Sequence, residues 1–240
     1  KYGTNSIWKG NSDTEVLINA IEVVGLHQAL NLIKGMFAFA LWDKRNNKMY
    51  LVRDRFGEKP LYWGFIDNKH KNQKNLFFAS ELNAFKGLPF FNNELCKEGL
   101  NQYFNYGYIA SPNSIYNQIY QLPPGNLLKI NQKKFIESSS YKPSPINWYK
   151  FEEKKKIDIN IKNHKEIVEI VENLITRSIE KQNQADVPVC TFLSGGIDSS
   201  VVSALLQKIS IEKVNTLTIT FPEYLKSKYL FDEGPFAKKI

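Results

Sequence analysis

Apolar residues come in short runs through the first 150 positions and recur at helical spacing after about 160. Met36-Phe37-Ala38-Phe39-Ala40-Leu41-Trp42 is followed by a polar stretch, 43–48, and then by Met49-Tyr50-Leu51-Val52. That pattern predicts two strands and a turn. Leu61-Tyr62-Trp63-Gly64-Phe65 and Leu76-Phe77-Phe78-Ala79 predict a second pair across the polar loop 67–75. Consecutive paired strands give antiparallel sheet. Upstream, Ser12-Asp13-Thr14-Glu15 fits a capping box, with Ser12 as N-cap and Glu15 at N3. Leu17, Ala20, Ile21 and Val24 then share one helix face, and Gly25 ends the helix.

Residues 137–160 change character, from serine and proline to charge. They predict a boundary: a first domain over 1–150, a linker over 151–162 and a second domain over 163–240. In the second, Ile167, Ile170, Val171, Leu174, Ile175 and Ile179 mark an amphipathic helix. A strand over 187–193, a glycine turn, a helix from 199 to 206 and a strand over 214–221 follow. This alternation predicts an open α/β fold with parallel strands. Such sheets bind ligands at the carboxyl ends of their strands.

Composition narrows the classes. Apolar content is 42%, enough for a buried core in one large or two modest domains. No apolar run is long enough for a membrane span, and no signal-peptide pattern opens the chain. The chain starts without Met and stops inside an expected helix at 236–240, so an internal fragment is expected. Net charge is +8, but only four of the 32 basic residues are Arg and the lysines are scattered. The dense run Lys154-Lys155-Lys156 follows Glu152-Glu153 and reads as solvated linker. A nucleic-acid binder gathers its charge on one face, so no nucleic-acid partner is expected. Cys96 and Cys190 lie far apart and are expected as buried thiols, which suits a reducing cytoplasm. The three histidines have no ligand spacing.

The candidate chemistry lies in Thr191-Phe192-Leu193-Ser194-Gly195-Gly196-Ile197-Asp198-Ser199-Ser200. Glycines between a strand and a helix let backbone amides approach an anion, and the helix dipole favours it there. No Lys follows the glycines, so the Walker pattern is absent, as is the dinucleotide pattern. A tight turn with Asp198 as a cap is the plain alternative. Ser194 to Ser199 resembles the pyrophosphate loop of ATP pyrophosphatases. That resemblance implies ATP split between its α and β phosphates. Backbone amides with the Ser194 and Ser199 hydroxyls would hold pyrophosphate, and Mg²⁺ would sit between Asp198 and the phosphates. It also implies adenine contacts, largely through backbone, at Phe192 and Ile219, for which core packing is the alternative.

The first half carries further strings in a fixed order: 12–16, 35–43, Arg53-Asp54-Arg55-Phe56-Gly57-Glu58-Lys59-Pro60-Leu61-Tyr62, 78–82 and 122–125. Together with the loop they resemble glutamine-hydrolysing asparagine synthetases, whose first domain is a class II glutamine amidotransferase. The resemblance implies an α+β four-layer N-terminal-nucleophile hydrolase sandwich (partial), followed by an α/β parallel-sheet ATP-pyrophosphatase domain (partial). It implies hydrolysis of glutamine to glutamate and ammonia, with Asp13 holding the α-amino group; helix capping is Asp13's alternative role. Arg53, Asp54, Gly57 and Pro60 would form a structural ion pair and bend. The family nucleophile is an N-terminal cysteine, absent here, and neither Cys96 nor Cys190 matches it by position. The implied reaction is asparagine synthesis from aspartate, glutamine and ATP through β-aspartyl-AMP, with a homodimer as the expected assembly; the fragment alone would be inactive. Asp232-Glu233 is left without a role. An amidotransferase for another carboxylate, such as one in cell-surface sugar synthesis, a ring-closing synthetase and a non-catalytic nucleotide-binding relic stay open.

Overall fold

The computed structural model describes residues 9–68, 73–88, 91–138, 140–151, 163–222 and 232–240. Residues 152–162 of the expected linker and 69–72 of the second expected loop lie outside them. The chain divides into two units, Lys1–Glu152 and Glu153–Ile240.

The first unit opens with helices α1 (Asp13–Val24) and α2 (Leu26–Leu32), joined at Gly25 with φ +80°. Leu17, Ala20, Ile21 and Val24 are the half-buried side of α1. Ser12 caps it by accepting from the Thr14 amide at 3.1 Å. The reciprocal half of the capping box does not form. Glu15 instead accepts from the Lys9 and Gly10 amides, both at 2.8 Å, because the chain before Ser12 folds back over it.

Strands β1 (Ala38–Asp43) and β2 (Lys48–Arg53) form the expected hairpin. Its turn is held by Asp43, whose carboxylate accepts from the Arg45 and Asn46 amides and from Asn46 Nδ2. The bonds from Asn46 hold the Asp43 carboxyl below its usual range. Strands β3 (Tyr62–Asn68) and β4 (Gln73–Ala79) are the second pair. Helix α3 (Asn83–Lys86) follows β4, and α4 (Lys97–Tyr106) follows α3. Strands β5 (Ile119–Gln121) and β6 (Asn126–Asn131), helix α5 (Gln132–Glu137) and strand β7 (Pro145–Asn147) complete the unit. One antiparallel sheet runs β1-β2-β6-β7 and the other β4-β3-β5.

Alternation along the strands decides what each sheet touches. Leu51, Leu128 and Ile130 of the first sheet pack with Trp63 of the second and with Leu61 and Leu122. The neighbours Val52 and Leu127 point the other way and pack with Leu30 of α2. On the second sheet, Ile66 and Ile119 pack with Phe85 of α3.

The second unit begins with α6 (His164–Gln182), N-capped by Asn163. Its apolar stripe is helical as predicted. Ile175 and Ile179 are half-buried, while Ile167, Ile170, Val171 and Leu174 are exposed. Strand β8 (Cys190–Phe192), helix α7 (Ile197–Ile209), strand β9 (Asn215–Leu217) and a last helix, α8 (Gly234–Ala237), follow. β8 and β9 pair in parallel, Thr191 opposite Thr216. Both are shorter than the apolar runs 187–193 and 214–221, because each has a single partner strand among the described residues.

Cys190 is exposed and Cys96 half-buried, against the expectation of two buried thiols. Cys96 Sγ serves as the N-cap of α4, accepting from the Gly99 amide. Cys190 and Phe192 are the exposed positions of β8, while Thr191 between them is half-buried against Ser203 of α7. No helix among the described residues is long and apolar enough to cross a membrane.

Candidate functional site

In the second unit the chain leaves β8 at Leu193, which is buried and bonded twice to the neighbouring strand. Its amide donates to Leu217 O at 2.9 Å, and its carbonyl accepts from Thr218 Oγ1 at 2.7 Å. The turn follows at once. Gly195 has φ +80°, and Gly196 is the N-cap of α7. The helix starts at Ile197, two residues before the pattern placed it, so Asp198 and Ser199 lie in its first turn.

Hydroxyls hold the turn. Ser194 Oγ and Ser199 Oγ are 2.8 Å apart. Ser194 Oγ accepts from the Gly196 amide and Ser199 Oγ from the Ser194 amide, each at 3.2 Å. Ser200 Oγ donates to Gly196 O at 2.7 Å. Thr191 Oγ1 and the buried Ser203 Oγ, 2.9 Å apart, tie α7 back to β8. The amides of Ile197, Asp198 and Ser199 have no acceptor among the described residues, the usual state of a helix start. They and the dipole of a 13-residue helix make this end attractive to an anion.

Phe192 and Ile219 stand at the carboxyl ends of β8 and β9, 74% and 66% exposed. Core packing, the alternative for both, is therefore not what the fold uses them for. Asp198 is exposed, and its side chain has no hydrogen-bond partner among the described residues. No group of three or more potential metal ligands occurs among those residues. A single carboxylate fits a cation that brings phosphate oxygens and water with it. It does not fit a cation held by protein alone.

In the first unit Asp13 occupies the first position of α1, exposed to solvent. Ser12 Oγ and Thr14 Oγ1 lie 3.5 and 3.4 Å from Asp13 Oδ1. An open groove of about 620 Å³ elsewhere in this unit, lined among others by Trp42, Met49, Phe77 and Phe135, contains none of the candidate residues.

The Arg53–Pro60 bend is built differently from the expected ion pair. Asp54, 1% exposed, accepts from the amides of Phe37, Phe56, Glu58 and Lys59 at 2.9 to 3.2 Å. Arg53 donates to the carbonyls of Gly57, Lys59 and Leu122 at 2.6 to 2.9 Å. Each charge is satisfied by backbone, so the two side chains need not meet. Burial lowers the pKa of Arg53, offset in part by the charge of Asp54. Sequence reasoning missed Trp148, whose Nε1 donates to Arg53 O at 3.1 Å across 95 positions. It also missed Arg55, which donates to Leu30 O and Ile33 O at the end of α2 and lies 5.2 Å from the ring centroids of Trp148 and Tyr149. No local pattern signals either role.

Comparison with known proteins adds two family matches. Residues 2–142 match the glutamine amidotransferase domain, and residues 170–240 match asparagine synthase. The asparagine synthetase (glutamine-hydrolyzing) 3 of Bacillus subtilis is 28% identical over 95% of this chain and 36% of its own length. A putative asparagine synthetase (glutamine-hydrolyzing) 2 of Methanocaldococcus jannaschii is 29% identical over 95% of this chain and 41% of its own. Amidase chry2 of Gibberella zeae is 29% identical over 95% of this chain and 32% of its own. The chain thus spans between about a third and two fifths of the length of these relatives.

Proposed function

This chain belongs to the glutamine amidotransferase family, and on that premise we propose that it is part of an enzyme that makes asparagine from aspartate, glutamine and ATP. The observation that carries the proposal is the order of the two family matches on one chain, amidotransferase first and asparagine synthase second. The helix-sheet and sheet-sheet packing of the first unit supports an N-terminal-nucleophile hydrolase sandwich there. Asp13 would pair with the α-ammonium of glutamine, a carboxylate already placed at the surface for it. No residue of this chain is proposed as the glutaminase nucleophile.

In the second unit the free amides of Ile197, Asp198 and Ser199 would hold the phosphates, with Gly195 and Gly196 beside them. Ser194 and Ser199 would exchange their mutual bond for bonds to phosphate oxygens. Phe192 and Ile219 would flank the adenine. Asp198 would share Mg²⁺ with the phosphates, and the ion would neutralise charge on the leaving pyrophosphate. The carboxylate of aspartate would attack the α-phosphorus, pyrophosphate would leave, and ammonia would displace AMP from the β-aspartyl adenylate. The test is pyrophosphate release from Mg-ATP and glutamine by the native protein, with and without aspartate, beside Asp198→Ala. Release that requires aspartate and falls by about 10²-fold or more in the variant is expected. Release indifferent to aspartate would favour another acceptor carboxylate.

A further inference from the structure

The two glycines of the turn differ in what surrounds them. A Cβ on Gly195 would lie 2.5 Å from Phe236 Cβ, 2.6 Å from Phe236 C and 2.8 Å from the Ala237 amide nitrogen. Two of those three atoms are backbone and cannot swing aside. Gly195 also has φ +80°, where an L side chain is strained. A Cβ on Gly196 would meet only Ser194 Oγ, at 3.2 Å, and its φ of −76° is open to any residue. So the fold itself requires glycine at 195, and at 196 it does not.

The element pressed against Gly195 is α8, and α8 is seated at its other end as well. A Cβ on Gly234 would lie 2.8 Å from Thr220 Cγ2, and the Gly234 amide donates to Asp232 Oδ1 at 3.1 Å. Thr220 lies three residues past β9, and Gly195 three past β8. α8 therefore spans the carboxyl ends of both strands. The Phe236 side chain is 59% exposed, so its contact with the loop is made by Cβ and backbone.

We propose that α8 is a positioning element for the glycine turn: its seat on Thr220 holds Phe236 and Ala237 against Gly195, and this fixes the left-handed bend that aims the amides of Ile197 to Ser199. Gly196 is then the glycine whose missing side chain leaves room for the ligand. The ligand half of this inference rests on the polyphosphate reading above, and the geometric half does not.

Amide NMR of the 240-residue chain tests the geometry, and titration with inorganic pyrophosphate tests the ligand. Gly234→Ala puts a methyl group against Thr220 Cγ2. It is expected to shift the ligand-free amide signals of residues 195–199 and to weaken pyrophosphate binding by about tenfold or more. Thr220→Ser removes Cγ2 and leaves the new methyl only the lesser 3.2 Å approach to Asp232 Oδ1, so the double variant should restore most of the signal positions and affinity. Phe236→Ala keeps Cβ and should change neither. Gly196→Ala should leave the Phe236 and Ala237 amides unmoved while weakening pyrophosphate. Unmoved 195–199 signals in Gly234→Ala would overturn the positioning role, as would a double variant no better than the single one. If the unsubstituted chain does not bind pyrophosphate, the polyphosphate reading fails, and the ligand-free signals still decide the positioning claim.

Discussion

At the scale of single residues, Asp54 is the most heavily bonded carboxylate among the described residues, and its four donors are all backbone amides. An amide in its place keeps one acceptor oxygen and turns an N–H group toward N–H groups. Asp54→Asn should cost about 2–3 kcal/mol of first-unit stability, measured by urea unfolding on tryptophan fluorescence. Asp43 makes the contrasting case. Its folded-state pKa is depressed by Asn46, so its contribution is present above the reference value of 3.8 and is lost as pH falls below that value through the folded one. The stability gap between the chain and Asp43→Asn should close on acidification across that window, followed by urea midpoints. The identity of Asp54 as a special residue was legible in the run Arg53–Pro60, but its partners were not. The sequence suggested the charge next door, and burial chose the amides of the bend.

At the scale of elements, caps and turns followed the local code more closely. Ser12 capped α1 and the polar stretch 43–48 closed the hairpin, since both need only neighbours two or three positions away. Ser12→Ala should lower stability by about 1 kcal/mol, seen as a loss of helical circular dichroism at lower temperature. The missing half of the capping box went to Lys9 and Gly10, a competition that spacing alone could not reveal. The parallel pair in the second unit gives a separate prediction. Phe192 is mostly exposed, so Phe192→Ala should change stability by less than about 0.5 kcal/mol, against about 3–5 for a buried phenylalanine. It should nonetheless weaken ATP binding, measured by calorimetry, if the exposed ring flanks the base.

At the scale of the whole molecule, the two units are unequally built. Among the described residues, thirteen buried apolar side chains belong to the first unit, and Leu193, Leu205 and Leu206 to the second. Apolar burial is the main favourable term in folding, so the second unit should open first. Hydrogen exchange followed by mass spectrometry in rising urea should release amides of α6 and α7 before those of β2, β3 and β6. Simultaneous release would mean that the units unfold as one.

What the sequence settled by itself is what short spacing encodes: the hairpins of the first half, the stripe of α6 and a glycine turn between a strand and a helix. Each depends on periods of two or 3.6 and on residues beside each other, so the chain writes them locally. Tertiary structure alone decided which backbone groups Arg53 and Asp54 would bind, that Trp148 would reach back to Arg53, and which of two adjacent glycines the fold requires. Those answers come from groups brought together across 95 positions for Trp148 and Arg53, and 41 for Gly195 and Phe236. Desolvation made the first two binding, since a buried charge or polar N–H must find whatever partner the packing places beside it. For Gly195 the reason is steric, the Phe236–Ala237 backbone and a left-handed φ leaving no room for a side chain.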